Sequence, residues 1–266
     1  MRFTAFSRSS VFLFGLAIAR AAALDPHLLP SGNFDLTHWY LCLPVDALGG
    51  FSGRPLNIKT GELCAGYSNP TYFYTGKDGA MVFEVPWNGA NISGSPRCEF
   101  RETHPDGSHF DWTPLSEGGT HVLEATCAVN AVGKGKIAIG QIHGKEPNIP
   151  TVILRYDNTK SPPLIYVTVK KHPQDAVSQE QHDFPSVPLH APIQYQLKMV
   201  GAETSLKPYV TVNGSTASFD MTDLEWLKTT QYFKAGAYYT VPGKGMTAKV
   251  SFYDLKIRHS AGKQTH

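Results

Sequence analysis

Three stretches, Arg97-Cys98-Glu99-Phe100-Arg101-Glu102, Gln141-Ile142-His143 and Tyr232-Phe233-Lys234-Ala235-Gly236-Ala237-Tyr238, hold the residues of this chain best suited to act together on a charged substrate. Each reads as a β-strand, in which alternate side chains leave on opposite sides. Arg97, Glu99 and Arg101 then share one face, while Cys98 and Phe100 take the other. Gln141 and His143 share a face in the same way, and Ala138, Gly140 and Ile142 take the other. Tyr232, Lys234 and Tyr238 share a face too, with Gly236 leaving room above the backbone. Guanidinium groups grip carboxylates through a planar fork, an amide adds neutral donors, and an imidazole or a phenol can move protons. On one surface these groups would form a cationic cleft suited to an anionic polymer.

Each group also has a plainer reading. Arg97, Glu99 and Arg101 could be a solvated strand face with cross-strand ion pairs. In the functional reading Glu99 holds the arginines in place, and roughly 13 Å of strand between Arg97 and Arg101 lets them serve different units of such a polymer. A lone histidine usually has no catalytic role, but Gln141 beside His143 can hydrogen-bond an anion without adding charge. The remaining histidines, His27, His109, His172 and His266 among them, have no such setting and are assigned to surface or loop. A phenol ordinarily titrates near about 10, so Tyr238 as a base would need neighbouring cations such as Lys234 and an arginine. Glu99 and Glu102 lie on opposite faces of their strand, which disfavours a glycoside hydrolase built on paired carboxylates.

The elements that must position these residues are short strands bounded by glycine, proline or asparagine. They are expected over 71–75, 80–85, 97–103, 121–129, 136–143, 151–156, 164–170, 195–200, 209–212, 232–239 and 248–257. Parallel sheets would need intervening helices, and the sequence supplies none. The expected architecture is all-β: a single-domain antiparallel β-jelly-roll sandwich with an open cleft on one sheet. One helical segment of one or two turns is expected at Thr222-Asp223-Leu224-Glu225-Trp226-Leu227-Lys228, where Thr222 caps and Glu225 completes a capping box, so Asp223 and Glu225 are not a catalytic pair. Asn213-Gly214 signals a hairpin turn.

Residues 1–23, with Arg2, Arg8, an apolar run from Val11 to Ala19 and small residues at Ala21-Ala22-Ala23, read as a secretory signal peptide. Residues 24–266 then form one secreted, soluble domain with no membrane anchor, taken as a monomer. A net charge of +2, with no lysine or arginine runs, argues against nucleic acid. No ligand cluster for a metal is seen, and no cofactor is expected. Cys42, Cys64, Cys98 and Cys127 would enter an oxidising compartment, where disulfides are favoured. Four cysteines allow three pairings, of which Cys42 with Cys64 and Cys98 with Cys127 is preferred. Asn91-Ile92-Ser93 and Asn213-Gly214-Ser215 are glycosylation sequons.

Together the three stretches resemble the alginate lyases of polysaccharide lyase family 7, which carry R-x-E-L-R, Q-[IV]-H and Y-F-K-A-G-x-Y strands in this order. Phe34 to Val45 also resembles the family's start. Cys98, Phe100 and Thr240 depart from its usual residues; the first two face away from the cleft, and Thr240 shares a face with Tyr238. The resemblance implies that Arg97 and Gln141 bind the uronate carboxylate and that His143 and Tyr238 move the protons of a β-elimination. It implies substrate contacts for Glu99, Arg101 and Lys234, and the Q-I-H form is associated with guluronate-containing substrate. A lyase on another polyuronate such as glucuronan, or a glycan-binding jelly roll without chemistry, are the competing readings.

Overall fold

The computed structural model describes residues 23–92, 94–174, 179–221 and 223–261. Ahead of the first strand lies a helical turn, α1 (Pro30–Asn33). Next come β1 (Trp39–Cys42), β2 (Asn57–Ile58), a second short helix α2 (Thr60–Cys64), β3 (Phe73–Thr75), β4 (Met81–Pro86) and β5 (Arg97–Glu102). The middle of the chain supplies β6 (Gly119–Ala131), β7 (Lys136–Gly144), β8 (Pro150–Asp157), β9 (Leu164–Lys170) and β10 (Gln179–Phe184). The last strands are β11 (Pro192–Ala202), β12 (Ser205–Val212), β13 (Ser215–Ser218), β14 (Gln231–Val241) and β15 (Thr247–Ala261).

These strands form two antiparallel sheets, as a jelly-roll sandwich requires. One runs β10-β9-β8-β7-β14-β5-β1-β2 and the other β13-β12-β11-β6-β15-β4-β3. In the second sheet, alternation along β11 buries Ile193, Tyr195, Leu197 and Met199 and sends Gln194, Gln196 and Lys198 outward. The space between the sheets is filled by aromatic rings: Phe83 meets Phe100 edge-on at 4.9 Å and Phe252 at 5.3 Å, and Trp39 stacks on Phe100 at 5.5 Å. The first sheet differs. Its central strands β5 and β14 are buried on both faces, although one face is made of charged and amide side chains.

Several expectations change. No disulfide joins the cysteines: Cys42, Cys64, Cys98 and Cys127 are all free thiols. Cys98, on the core face of β5, donates to the Tyr72 carbonyl at 3.1 Å, while Cys127 is buried in the opposite sheet, paired in register with Phe252 and Ile193. Cys42 stands opposite Glu99, whereas Cys64 is exposed at the end of α2. The helical turn at Leu224–Leu227 starts on Asp223, whose carboxylate accepts from the Glu225 backbone at 2.8 Å. Thr222, the expected cap, lies outside the described residues, as do residues 1–22 of the expected signal peptide, Ser93 of the first sequon and His266. The Asn213-Gly214 turn is borne out: both residues have positive φ, 47° and 83°, and join β12 to β13.

Two histidines assigned to surface or loop pack inward, His121 fully buried and His259 partly so. His259 Nε2 meets Glu102 Oε1 at 2.6 Å, and its Nδ1 lies 2.8 Å from His121 Nδ1, where His121 stacks on Trp112 at 4.0 Å. The other Glu102 oxygen accepts from Trp112 Nε1 at 2.9 Å and from the Phe233 backbone at 2.8 Å. Burial, and then the charge of His259, push His121 down to about 4 from an ordinary 6.5. The unfolded chain therefore takes up a proton that the native state refuses, so stability is complete above the ordinary value and is lost as pH falls toward the native one. We expect the urea midpoint to drop between about pH 7 and about pH 4.5, with a His121 contribution on the order of 3 kcal/mol. A midpoint that is flat over this range would contradict it.

Candidate active site

The polar face of the first sheet is assembled where β7, β14 and β5 lie side by side. Lys234 on β14 stands opposite Arg101 on one side and Gln141 on the other. Tyr232 stands opposite His143, Tyr238 opposite Arg97, and Gly236 opposite Glu99. All seven residues expected from sequence are therefore brought onto one patch.

Glu99 is its hub. Its carboxylate accepts a hydrogen bond from Gln141 Nε2 at 2.5 Å, pairs with Lys234 Nζ at 2.5 Å, and lies 3.8 Å from Arg97 Nη1. Glu99 and Gln141 are each 1% exposed and Lys234 7%, so these three form a sealed floor, whereas Arg97, His143 and Tyr238 keep solvent-facing surface. Gln141 retains a second N–H beyond the one given to Glu99. Burial pulls the Lys234 ammonium below its ordinary value, and Glu99 pulls it back.

A stacked column fixes the imidazole. Asp111 pairs with Arg101, which also donates to the Glu102 carbonyl at 2.6 Å and lies over the Tyr232 ring at 3.9 Å. His143 stacks on that ring at 5.2 Å. Arg101 is thus engaged by Asp111, the Glu102 carbonyl and the Tyr232 ring, and orders Tyr232 and His143 from beneath. His143 Nδ1 lies 2.7 Å from the Gly144 carbonyl and 3.1 Å from the Tyr232 hydroxyl, so Nδ1 carries the proton and Nε2 the lone pair. Burial first, and then the Lys234 charge, push His143 down to about 3.

On the other side, Arg97 lies over the Tyr238 ring at 4.1 Å and Lys234 is 5.9 Å from the same ring. Between these groups β14 must pass close to β5. A Cβ on Gly236, at φ 144°, would fall 2.6 Å from the Cys98 carbonyl oxygen and 2.7 Å from the Glu99 Cα. The Gly236→Ala variant should lose about 2–4 kcal/mol of stability in urea titrations, since neither backbone can yield.

The alginate lyase family profile matches residues 34–259. The chain belongs to the alginate lyase family. An alginate lyase of Klebsiella pneumoniae is 35% identical over 142 residues, which are 43% of this chain and 46% of that protein, so the match spans less than half of this curated relative. Among solved structures, alginate lyase A1-II′, a member of polysaccharide lyase family 7, is 31% identical with a TM-score of 0.73, over 87% of this chain and 98% of its own. An alginate lyase from Pseudomonas aeruginosa is 28% identical with a TM-score of 0.74, over 85% of this chain and 100% of its own. The resemblance to family 7 read from three short motifs is borne out over nearly the whole domain.

Within this alginate lyase fold the cleft face carries residues that the motifs did not point to. Tyr40 stands opposite Arg101, and burial pushes its phenol up to about 12. Asp111 also binds Lys145 at 2.9 Å, tying the β7–β8 connection to the arginine column. A bulge at Ile139 and Gly140 places Ala138 opposite both Tyr238 and Arg155, on their face and not on the core face as strict alternation predicts. Arg155 was legible as a lone arginine among the apolar residues of Thr151 to Tyr156, but nothing local tied it to the other strands.

Proposed function

We propose that this protein is a polysaccharide lyase that cleaves alginate by β-elimination, with Arg97, Gln141, His143 and Tyr238 acting on one uronate unit. The reading is carried by the convergence of a cationic floor, a neutral imidazole and a phenol on adjacent strands β5, β7 and β14. Family 7 relatives support it. A1-II′ has been solved with product (GGG) as a tyrosine-to-phenylalanine variant, and with substrate (GGMG) as a variant that also replaces a histidine by asparagine.

The C5 proton of a uronate is a very weak acid. Arg97, and the spare N–H of Gln141, hold the carboxylate so that charge arising on C5 spreads onto an already neutralised group. Glu99 does not touch the substrate in this reading; it fixes Arg97, Gln141 and Lys234. His143 Nε2 or the Tyr238 oxygen takes the C5 proton, the C4–O4 bond breaks as the C4–C5 double bond forms, and Tyr238 protonates the departing O4. In guluronate the proton and the leaving oxygen lie on opposite sides of the ring, which assigns the base to His143. In mannuronate they share a side, and Tyr238 serves twice.

The imidazole is ready for this role over a wide pH range. Because His143 sits at about 3 and not 6.5, it is neutral wherever the protein is folded near neutrality. Lys234 and Arg97, which help depress it, are the charges an incoming carboxylate offsets, so substrate binding raises its proton affinity. The kcat/KM profile should therefore show no acid limb near an ordinary histidine value, measured while circular dichroism shows the native fold. An acid limb centred near about 6.5 would contradict this environment.

Incubating the protein with polymannuronate, polyguluronate and glucuronan, and following ultraviolet absorbance of the unsaturated ends, tests the reading. Alginate blocks should give absorbance in step with new reducing ends. Reducing ends without absorbance would mean hydrolysis, and activity on glucuronan alone would move the substrate to another polyuronate. The proposal includes export, with residues 1–23 removed, checked by N-terminal sequencing of protein from the medium, and a monomer, checked by light scattering.

A further inference from the structure

The cleft face continues beyond the proposed catalytic patch onto β8 and β9. Arg155 stands opposite Ala138 on one side and Tyr166 on the other, so Arg97, Tyr238, Ala138, Arg155 and Tyr166 form one row across five strands. The small Ala138 leaves the space between the two larger side chains open, and the Tyr238 phenol lies within electrostatic reach of the Arg155 guanidinium. That guanidinium is held in place. Its Nη1 donates to Thr168 Oγ1 at 2.6 Å, and it lies 5.7 Å from the centre of the Tyr166 ring.

What it lacks is a counter-ion. Among the described residues no carboxylate pairs with Arg155, and the acids of this flank are engaged elsewhere. Asp157 binds Lys136 at 2.9 Å, and Asp183 accepts from Gln181 at 2.7 Å. Burial pulls the Arg155 guanidinium below its ordinary range, with only tyrosines opposing that effect. A guanidinium offers five donors in a fixed fork, and Thr168 occupies one. A largely desolvated cation with free donors and no paired carboxylate among the described residues is costly to keep, and the cost is offset when an anion arrives with the ligand.

We propose that Arg155, oriented by Thr168, binds the carboxylate of a second uronate unit, on the β8–β9 side of the unit held at Arg97, Tyr238 and His143. Three strand spacings separate the Arg97 and Arg155 backbones, roughly 14 Å, so one sugar cannot occupy both. This rests on the polyuronate lyase reading and extends it to the polymer. Arg155 then sets how tightly longer chains are held and does not take part in proton transfer.

The test uses Arg155→Met and Arg155→Lys, each in the native enzyme and in a Tyr238→Phe background that binds without turnover. With an alginate oligomer long enough to fill the cleft, Arg155→Met should raise Kd about 10- to 100-fold, the size of a lost charge-assisted hydrogen bond. Arg155→Lys should recover part of that loss, and the salt dependence of binding should flatten in the methionine variant. In the native background KM should rise far more than kcat falls, with the pH profile unmoved. If Arg155→Met does not fold, Thr168→Val, which frees the guanidinium from its tether, should weaken binding several-fold. A wild type that cleaves alginate while Arg155→Met binds as tightly as its parent overturns this inference alone. So does a variant with unchanged KM, reduced kcat and a shifted pH profile, because Arg155 would then act on Tyr238. A wild type that neither binds nor cleaves any polyuronate overturns the function and this inference together.

Discussion

Replacing Tyr238 by phenylalanine should lower kcat on alginate by about 10²- to 10⁴-fold, the range for loss of a positioned proton donor, and leave polymer affinity nearly unchanged. The ring is what Arg97 packs against, at 4.1 Å, and phenylalanine preserves that ring, so the carboxylate grip survives while the phenol is lost. Progress curves of unsaturated ends give kcat, and equilibrium binding of polyguluronate gives Kd. A fully active variant would remove Tyr238 from the proton path. The companion change His143→Asn separates the two roles. It should cost far more on polyguluronate than on polymannuronate, because only the first substrate needs a base on the side of the ring away from O4. Equal losses on both blocks would mean one base serves both epimers.

How far the sequence disclosed this site depends on whether a signal was local. β5, β7 and β14 each carry their functional side chains at alternate positions, so face and strand were readable together, and their family motifs covered the same residues. β10, Gln179–Phe184, was not foreseen, because an exposed edge strand of polar residues has no apolar alternation to mark it. β1, Trp39–Cys42, was missed as a strand because it is short and runs straight into an apolar Leu43-Pro44-Val45 loop. The buried histidines could not be found locally. His259 and Glu102 are 157 positions apart, and only the closing of β15 against β6 brings His259 to His121. The expected disulfides followed from cysteine number and compartment, neither of which reports that Cys98 and Cys127 belong to opposite sheets. Ala138 fell on the wrong face because period two fails at a bulge.

Glu99 is where stability and chemistry should fail together. Its side chain is 1% exposed and that of Lys234 8%, so Glu99→Ala leaves a buried ammonium without its counter-ion, and deprives Gln141 and Arg97 of the group that aims them. Breaking a buried pair from one side costs about 3–5 kcal/mol, read here as a lowered urea midpoint. Activity should fall as well, since Arg97 and Gln141 would no longer converge on one carboxylate. The second substitution Lys234→Met removes the orphaned charge. Its effect in the Glu99→Ala background should be smaller than in the native protein, or even stabilising, giving a coupling on the order of 2 kcal/mol in a double-mutant cycle. Turnover should stay low in the double variant, because restored stability does not restore aim. If the two losses simply add, Glu99 and Lys234 are independent residues that happen to touch, and the floor of the cleft is held by something other than this carboxylate.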